Sequence, residues 1–346
     1  MQKDLNNITV YNVEYEVKTP LDIDKEYLLG SSIRGAILTR LAGILQFDVN
    51  RESINPSLIF HPAFPLEQDM GVFKPAHPFI YKCKICKSIL DHTPRLYNEV
   101  NNVEDLKELI APRKCDNNHP FSFKSLGGKL VNNNNKEYKE RRIALHSVGI
   151  NKILGSSEIN MIYSSDYIMP GTRFKGYIVQ INNDSTLILD EMISNIDNTI
   201  FIGRGGSRGF GHVKINIRRE DSYITKRREE IKERLKTHHR LILRALSPVF
   251  NVDMSEKGLI TNYNIRIDNG NVKYIIATKH TRISGFSLLS NIQKISLSGL
   301  GEGSLIWLAV DKDKSDVENI VDAIVRIELL GIGMFSAGGL NIVEVL

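Results

Sequence analysis

Two glycine clusters constrain this chain more than any other feature. The first sets Gly203, Gly205, Gly206, Gly209 and Gly211 around Arg204 and Arg208. A polar–apolar alternation, His212-Val213-Lys214-Ile215-Asn216-Ile217, follows it as a strand. The second runs Gly331-Ile332-Gly333-Met334-Phe335-Ser336-Ala337-Gly338-Gly339, after a helical pattern over Val317–Leu330 and before a strand over 341–345. Helix, glycine loop and strand recur in the same order, which predicts a duplicated unit.

Glycine permits positive φ and close backbone approach. A turn of that kind presents successive N–H groups that hold an anion, and arginine adds a forked donor for phosphate. The first cluster therefore reads either as a turn ahead of a strand or as a phosphate cradle. Its recurrence makes it a fold element first. Anion binding then rests on Arg204 and Arg208, which the second copy lacks. With Met334 and Phe335 in that place, the second loop is expected to pack against protein or a base.

The 346 residues suffice for two domains with separate cores. Strands at both ends of helices in each half predict an α+β fold of two tandem ferredoxin-like domains. The boundaries read as 1–220 for the first domain, with an insertion at about 55–125, 221–250 for a linking helix, and 251–346 for the second domain. A net charge of +5 permits a polyanionic partner without requiring one. No apolar run approaches the ~20 residues of a membrane span. The opening stretch carries acids and enters an alternating strand rather than a signal peptide, so a cytoplasmic protein is expected.

The insertion holds eight prolines and all three cysteines. Cys83-Lys84-Ile85-Cys86 and Cys115-Asp116-Asn117-Asn118-His119 supply C-x-x-C and C-x-x-x-H pairs, whose short spacers let two side chains converge on one ion. Cys83, Cys86, Cys115 and His119 are the predicted ligands of a structural Zn²⁺. All four positions are filled, which excludes the open position of a catalytic zinc. The alternative is three free thiols beside a surface histidine. His77 and His92 are spare ligands that read as loop residues. A short helix over 103–110 is expected between the pairs.

Elsewhere, residues 7–18 alternate as a first strand. Ser31 or Ser32 is placed to cap a helix with the apolar face Ile33, Ile37, Leu38 and Leu41. Arg34 falls in that helix's first turn, against the dipole, as either a solvated residue or a phosphate ligand. Residues 187–196 have helical spacing. Residues 218–246 read as one long helix whose interleaved acids and bases form a solvated face, with a nucleic-acid stripe as the alternative.

Three stretches together resemble the RAMP (repeat-associated mysterious protein) superfamily of CRISPR systems. They are Gly30-Ser31-Ser32 with Arg34-Gly35-Ala36, the strand–turn–strand of 159–176 with Pro170-Gly171-Thr172, and the glycine-rich loop from Gly203 to Gly211. Thr281-Arg282-Ile283-Ser284-Gly285-Phe286, with Gly303 to Trp307, is similar to the C-terminal half of the two-domain subunits of type III-D effector complexes. The resemblance implies two ferredoxin-like (RAMP/RRM-like) domains with glycine loops on a shared RNA-binding surface. It also implies a subunit that grips the 5′ handle of the guide RNA and contacts the large signalling subunit. By the same likeness Arg34, Arg204, Arg208 and Arg282 would hold phosphate, Gly203, Gly205, Gly206, Gly209 and Gly211 would form the cradle, and His280 and Phe286 would meet splayed bases.

Some members of that superfamily cleave RNA with a histidine and no metal. His146 and His212 are the candidates here, each with core packing as its alternative. Asp166, in a loop, is a candidate for divalent-ion cleavage. The expectation is a non-catalytic RNA-binding subunit. A guide-processing endoribonuclease and a zinc-containing RNA-binding module outside CRISPR systems are the alternatives.

Overall fold

The computed structural model describes residues 5–45, 48–100, 105, 114–115, 117–120, 123–150, 153, 155–181, 189–190, 198–238, 240–250, 260–261, 266–267, 270–276, 278–283, 286–287, 292–293, 297–309, 317–332 and 336–346. Two antiparallel sheets carry the architecture. In the first, Ile8–Val17 lies between His212–Arg219 and Arg173–Ile181. Beyond these lie Thr199–Phe201 on one side, and Leu58–Phe60, Phe64–Glu67 and Gly71–Val72 on the other. In the second, Arg240–Ala245 lies between Val343–Val345 and Leu305–Ala309, with Gly270–Ile276 next. In each sheet the first strand in chain order thus lies beside the last. The mixed α/β architecture with antiparallel sheets agrees with the expected class.

Side-chain alternation decides what each face of the first sheet meets. Tyr11, Val13, Tyr15 and Val17 point to the helix Gly30–Leu45 and share a core with Ile33, Ile37, Leu38 and Leu41. On the opposite face Ile8, Val10, Val179 and Ile181 are buried in a second core with Leu241 and Leu243 of the second sheet and Ile320, Val321 and Ile324 of the helix Val317–Leu330. That cover stops at Asn12. From there Ile8–Val17 switches from continuous burial to alternation, and half of the outer face stays open.

Three expectations are corrected. The helix after residue 218 spans only Tyr223–Thr237, and Arg240–Ala245 is the central strand of the second sheet rather than the end of a linker. Leu241, Ile242 and Ala245 continue a helical stripe by spacing, yet the segment is buried on both faces as a central strand. The first helix starts at Gly30, so Ser31 and Ser32 lie in its first turn and do not cap it. Of the expected insertion, Leu58–Phe60, Phe64–Glu67 and Gly71–Val72 are strands of the first sheet, and the part from Phe79 to Val100 packs on the second. Its Phe79, Tyr81, Leu96, Tyr97 and Val100 share a core with Ile242, Leu305 and Trp307. Apart from Asp105 and Leu189–Asp190, the expected helices over 103–110 and 187–196 fall outside the described residues, as does the 333–335 part of the second loop.

The charged helix Tyr223–Thr237 is also less solvated than its sequence suggests. Arg227 bonds Glu328 at 2.7 Å, Arg228 meets Asp322 at 2.8 Å, and Lys232 pairs with Glu318. These three bases face the helix Val317–Leu330. Among the described residues no helix is long and apolar enough to cross a membrane.

Candidate metal centre and nucleic-acid interface

Cys83 ends the strand Ile80–Cys83, and Cys86 follows a tight turn in which Lys87 N–H donates to the Cys83 carbonyl at 3.0 Å. Lys87 takes φ +64° there. The second pair repeats the device: Asn118, at φ +58°, donates to the Cys115 carbonyl at 2.8 Å. The ligand atoms of Cys83, Cys86, Cys115 and His119 all lie within 4.8 Å of one another. Cys86 Sγ stands 3.8 Å from Cys115 Sγ, and His119 Nδ1 is 3.8 Å from Cys83 Sγ and 3.4 Å from Cys115 Sγ. Zinc–sulfur bonds of about 2.3 Å in a tetrahedron place sulfurs roughly 3.8 Å apart, so the donor set fits the ion. Hydrogen bonds from Ser88 hold the Cys86 thiol down at about 5, towards the thiolate a metal requires. His77 lies in the loop between Lys74–Pro75 and Ile80–Cys83, where it is fully buried with its Nε2 2.7 Å from Thr93 Oγ1. His92 is buried beside Tyr81. Neither joins the cluster.

In the first glycine loop, Gly203, Gly205, Gly209 and Gly211 all have positive φ. Two of them are fixed by neighbours as well. A Cβ on Gly203 would lie 2.4 Å from the Asp22 carbonyl oxygen, and one on Gly211 would lie 2.1 Å from that of Ile202. Most loop amides are already engaged: Arg204 N–H donates to Asp22, Arg208 and Phe210 to Gly205, Gly209 to Gly206, and Gly211 to Pro20. The amides of Gly205, Gly206 and Ser207 make no hydrogen bond to another described residue. They form the short run of donors that an anion can use.

The two arginines have different surroundings. The Arg204 guanidinium is bound by Asp22 at 2.8 Å and Asp24 at 2.7 Å, which raise its pKa above the usual range. Arg208 is exposed and sits 5.5 Å over the Phe210 ring, which in turn contacts Tyr167 with centroids 4.9 Å apart. Arg34 is half-buried and donates to the Glu52 carbonyl at 3.1 Å, so it ties two helices together. Arg282 is exposed on the ribbon His280–Ile283/Leu297–Leu300. His280 is exposed on the same ribbon, and the Phe286 side chain lies outside the described residues.

The second loop does pack on protein. Gly339 meets Gly30 and the Phe60 carbonyl. Leu29 and Ser32 also border, with Gly203 and Arg204, a cavity of about 150 Å³. Both loops therefore converge on the start of the first helix.

The catalytic candidates are not core residues. His146 is exposed on the hairpin Arg142–Ile150/Ser157–Ile168, and Asp166 is exposed on its return strand rather than in a loop. His212 is half-buried, its ring stacked on Phe201. Sequence reasoning missed the aspartate partners of Arg204. The acidic run Leu21-Asp22-Ile23-Asp24 was the available signal, but nothing local links it to residue 204.

No protein-family model matches the chain, and no curated protein matches it. Solved structures do. A chain in the cryo-EM structure of the type III-B Cmr-beta bound to cognate target RNA is 14% identical, with 86% of each chain covered and a TM-score of 0.47. A chain in the crystal structure of the Csm3–Csm4 subcomplex of the type III-A CRISPR-Cas interference complex is 14% identical over 88% of this chain and 95% of that one, with a TM-score of 0.41. Oligomeric Cmr4 from Pyrococcus furiosus is 12% identical over 61% of this chain and 98% of that one, with a TM-score of 0.28.

Proposed function

We propose that the chain is a RAMP subunit of a type III CRISPR effector complex that binds guide RNA without cleaving it. In this reading it is built from two ferredoxin-like units, residues 1–220 and the second sheet with its helices. It grips the 5′ handle of the guide and meets the large signalling subunit. The Cys83, Cys86, Cys115 and His119 cluster holds a structural zinc.

The observation that carries the reading is the difference between the two glycine loops. In the second, Gly339 is packed against Gly30 and the Phe60 carbonyl. The first keeps the amides of Gly205, Gly206 and Ser207 unengaged beside exposed Arg208. A loop conserving donors for an anion suits the phosphates of RNA.

The test is binding and cleavage of CRISPR repeat RNA, with Mg²⁺ or EDTA. Arg204→Ala/Arg208→Ala should weaken binding and flatten its salt dependence. His146→Ala and His212→Ala should leave the RNA intact, as wild type does. Discrete cleavage by wild type that either histidine variant abolishes would make the chain an endoribonuclease instead. Co-purified RNA without a fixed 5′ end would favour a zinc-containing RNA-binding module outside CRISPR systems.

A further inference from the structure

The outer face of the first sheet is buried at one end and open at the other. Ile8, Val10, Val179 and Ile181 lie under the second half. Register places Asn12, Glu14 and Glu16 of the first strand beside Arg218, Asn216 and Lys214 on one side, and beside Tyr177, Lys175 and Arg173 on the other. At the sheet's edge Phe201 pairs with His212. Phe201 is 59% exposed, yet its ring is not loose: it lies on the His212 ring with centroids 5.3 Å apart and planes inclined by 27°.

We propose that this open half-face binds single-stranded RNA, with the Phe201–His212 stack as the platform for an unpaired base. The inference rests on the RNA-binding reading and extends it from the glycine loop to the sheet. A single exposed phenylalanine is ordinary on a protein surface. This one is held flat by a neighbouring ring and stands two residues before the loop whose amides are unengaged. It also shares its sheet face with Arg173, Lys175, Lys214 and Arg218. None of those four forms an ion pair among the described residues, while Glu16 is taken by Lys18 at 2.6 Å. Stacking on an aromatic ring beside a cationic track is the general way proteins hold unpaired strands, because every base has a π-face and every nucleotide a phosphate. A protein partner on the same face would use the ring without discriminating bases, and the test separates the two.

The experiment uses the full chain carrying F201W, whose indole is exposed, whereas the native Trp307 is only 4% exposed. A 12-nucleotide oligo(A) RNA should quench the new indole, and an abasic strand of equal length should not. Phe201→Ala should weaken oligo(A) binding about 5- to 100-fold, leave binding of the abasic strand unchanged, and melt with wild type. Lys214→Ala/Arg218→Ala should weaken both ligands and reduce the salt slope by about 1 to 2. Unchanged oligo(A) affinity in Phe201→Ala, with loss in Arg204→Ala/Arg208→Ala, overturns the platform and leaves the loop reading standing. Failure of wild type to bind either strand overturns both.

Discussion

Gly30 and Gly339 meet backbone to backbone: a Cβ placed on Gly339 would lie 2.5 Å from the Cα of Gly30 and 2.5 Å from the Phe60 carbonyl oxygen. One residue opens the first helix of the first half, and the other ends the glycine loop of the second. The contact fastens the two halves where no side chain fits.

That contact predicts a sharp contrast between neighbours. Gly339 has φ +74°, so Gly339→Ala combines left-handed strain with a clash against backbone and should destabilise the chain by about 2–4 kcal/mol. Nothing lies within 4 Å of a Cβ on Gly338, and Gly338→Ala should stay within about 0.5 kcal/mol of wild type. Thermal melting of both variants checks this. Equal melting would mean that the halves are not fastened there.

The metal centre should contribute folding free energy. Metal analysis should give about one zinc per chain, and His119→Ala or Cys115→Ser should lose it. Because Tyr97 donates to the Leu346 carbonyl at 3.0 Å and packs with Trp307, metal loss should loosen the insertion from the second sheet. Hydrogen exchange over residues 79–100 would report this as faster exchange. A chelated protein with wild-type exchange and melting would remove the structural role.

Arg204 is neutralised by two carboxylates, so freeing it should strengthen phosphate binding. Asp24 is 81% exposed, and Asp24→Asn should leave stability unchanged. RNA affinity should rise about 2- to 10-fold, with a salt slope steeper by up to about 0.7. A fall in affinity would show that Asp24 positions Arg204 for its ligand rather than masking it.

His61 predicts a pH dependence. Burial pushes its imidazole down to about 4, against the hydrogen bond to the Leu329 carbonyl at 2.9 Å. The unfolded state therefore takes up a proton near 6.5 that the folded state refuses until about 4. Stability is full above pH 6.5 and falls as pH drops towards 4, by on the order of 2 kcal/mol between pH 7 and 5. Glu302 acts in a lower window. Burial would raise its pKa, but the hydrogen bonds from Lys25 and Tyr27 hold it at about 2, so its contribution is present above 4.5 and is lost towards 2. His61→Gln keeps a donor for Leu329 and should flatten the melting profile between pH 6.5 and 4. An unaltered profile would assign the pH dependence to other groups.

The sequence by itself determined what short spacing controls. Cys83 to Cys86 and Cys115 to His119 declare knuckles because two or three intervening residues force their side chains together. The odd-numbered residues Tyr11 to Val17 declare a buried strand face by their period. The positive-φ glycines of the first loop were legible for the same local reason. Tertiary structure alone decided what those elements meet. Arg240–Ala245 became a central strand because both its faces are covered, which no spacing rule reveals. Arg204 found Asp22 and Asp24 from the other end of the first half. Gly339 found Gly30, and the cysteine-bearing part of the insertion packed on the second sheet. Each of these contacts depends on closing a long stretch of chain, and free energy of that kind is set by the shape of the assembled surfaces rather than by any local pattern.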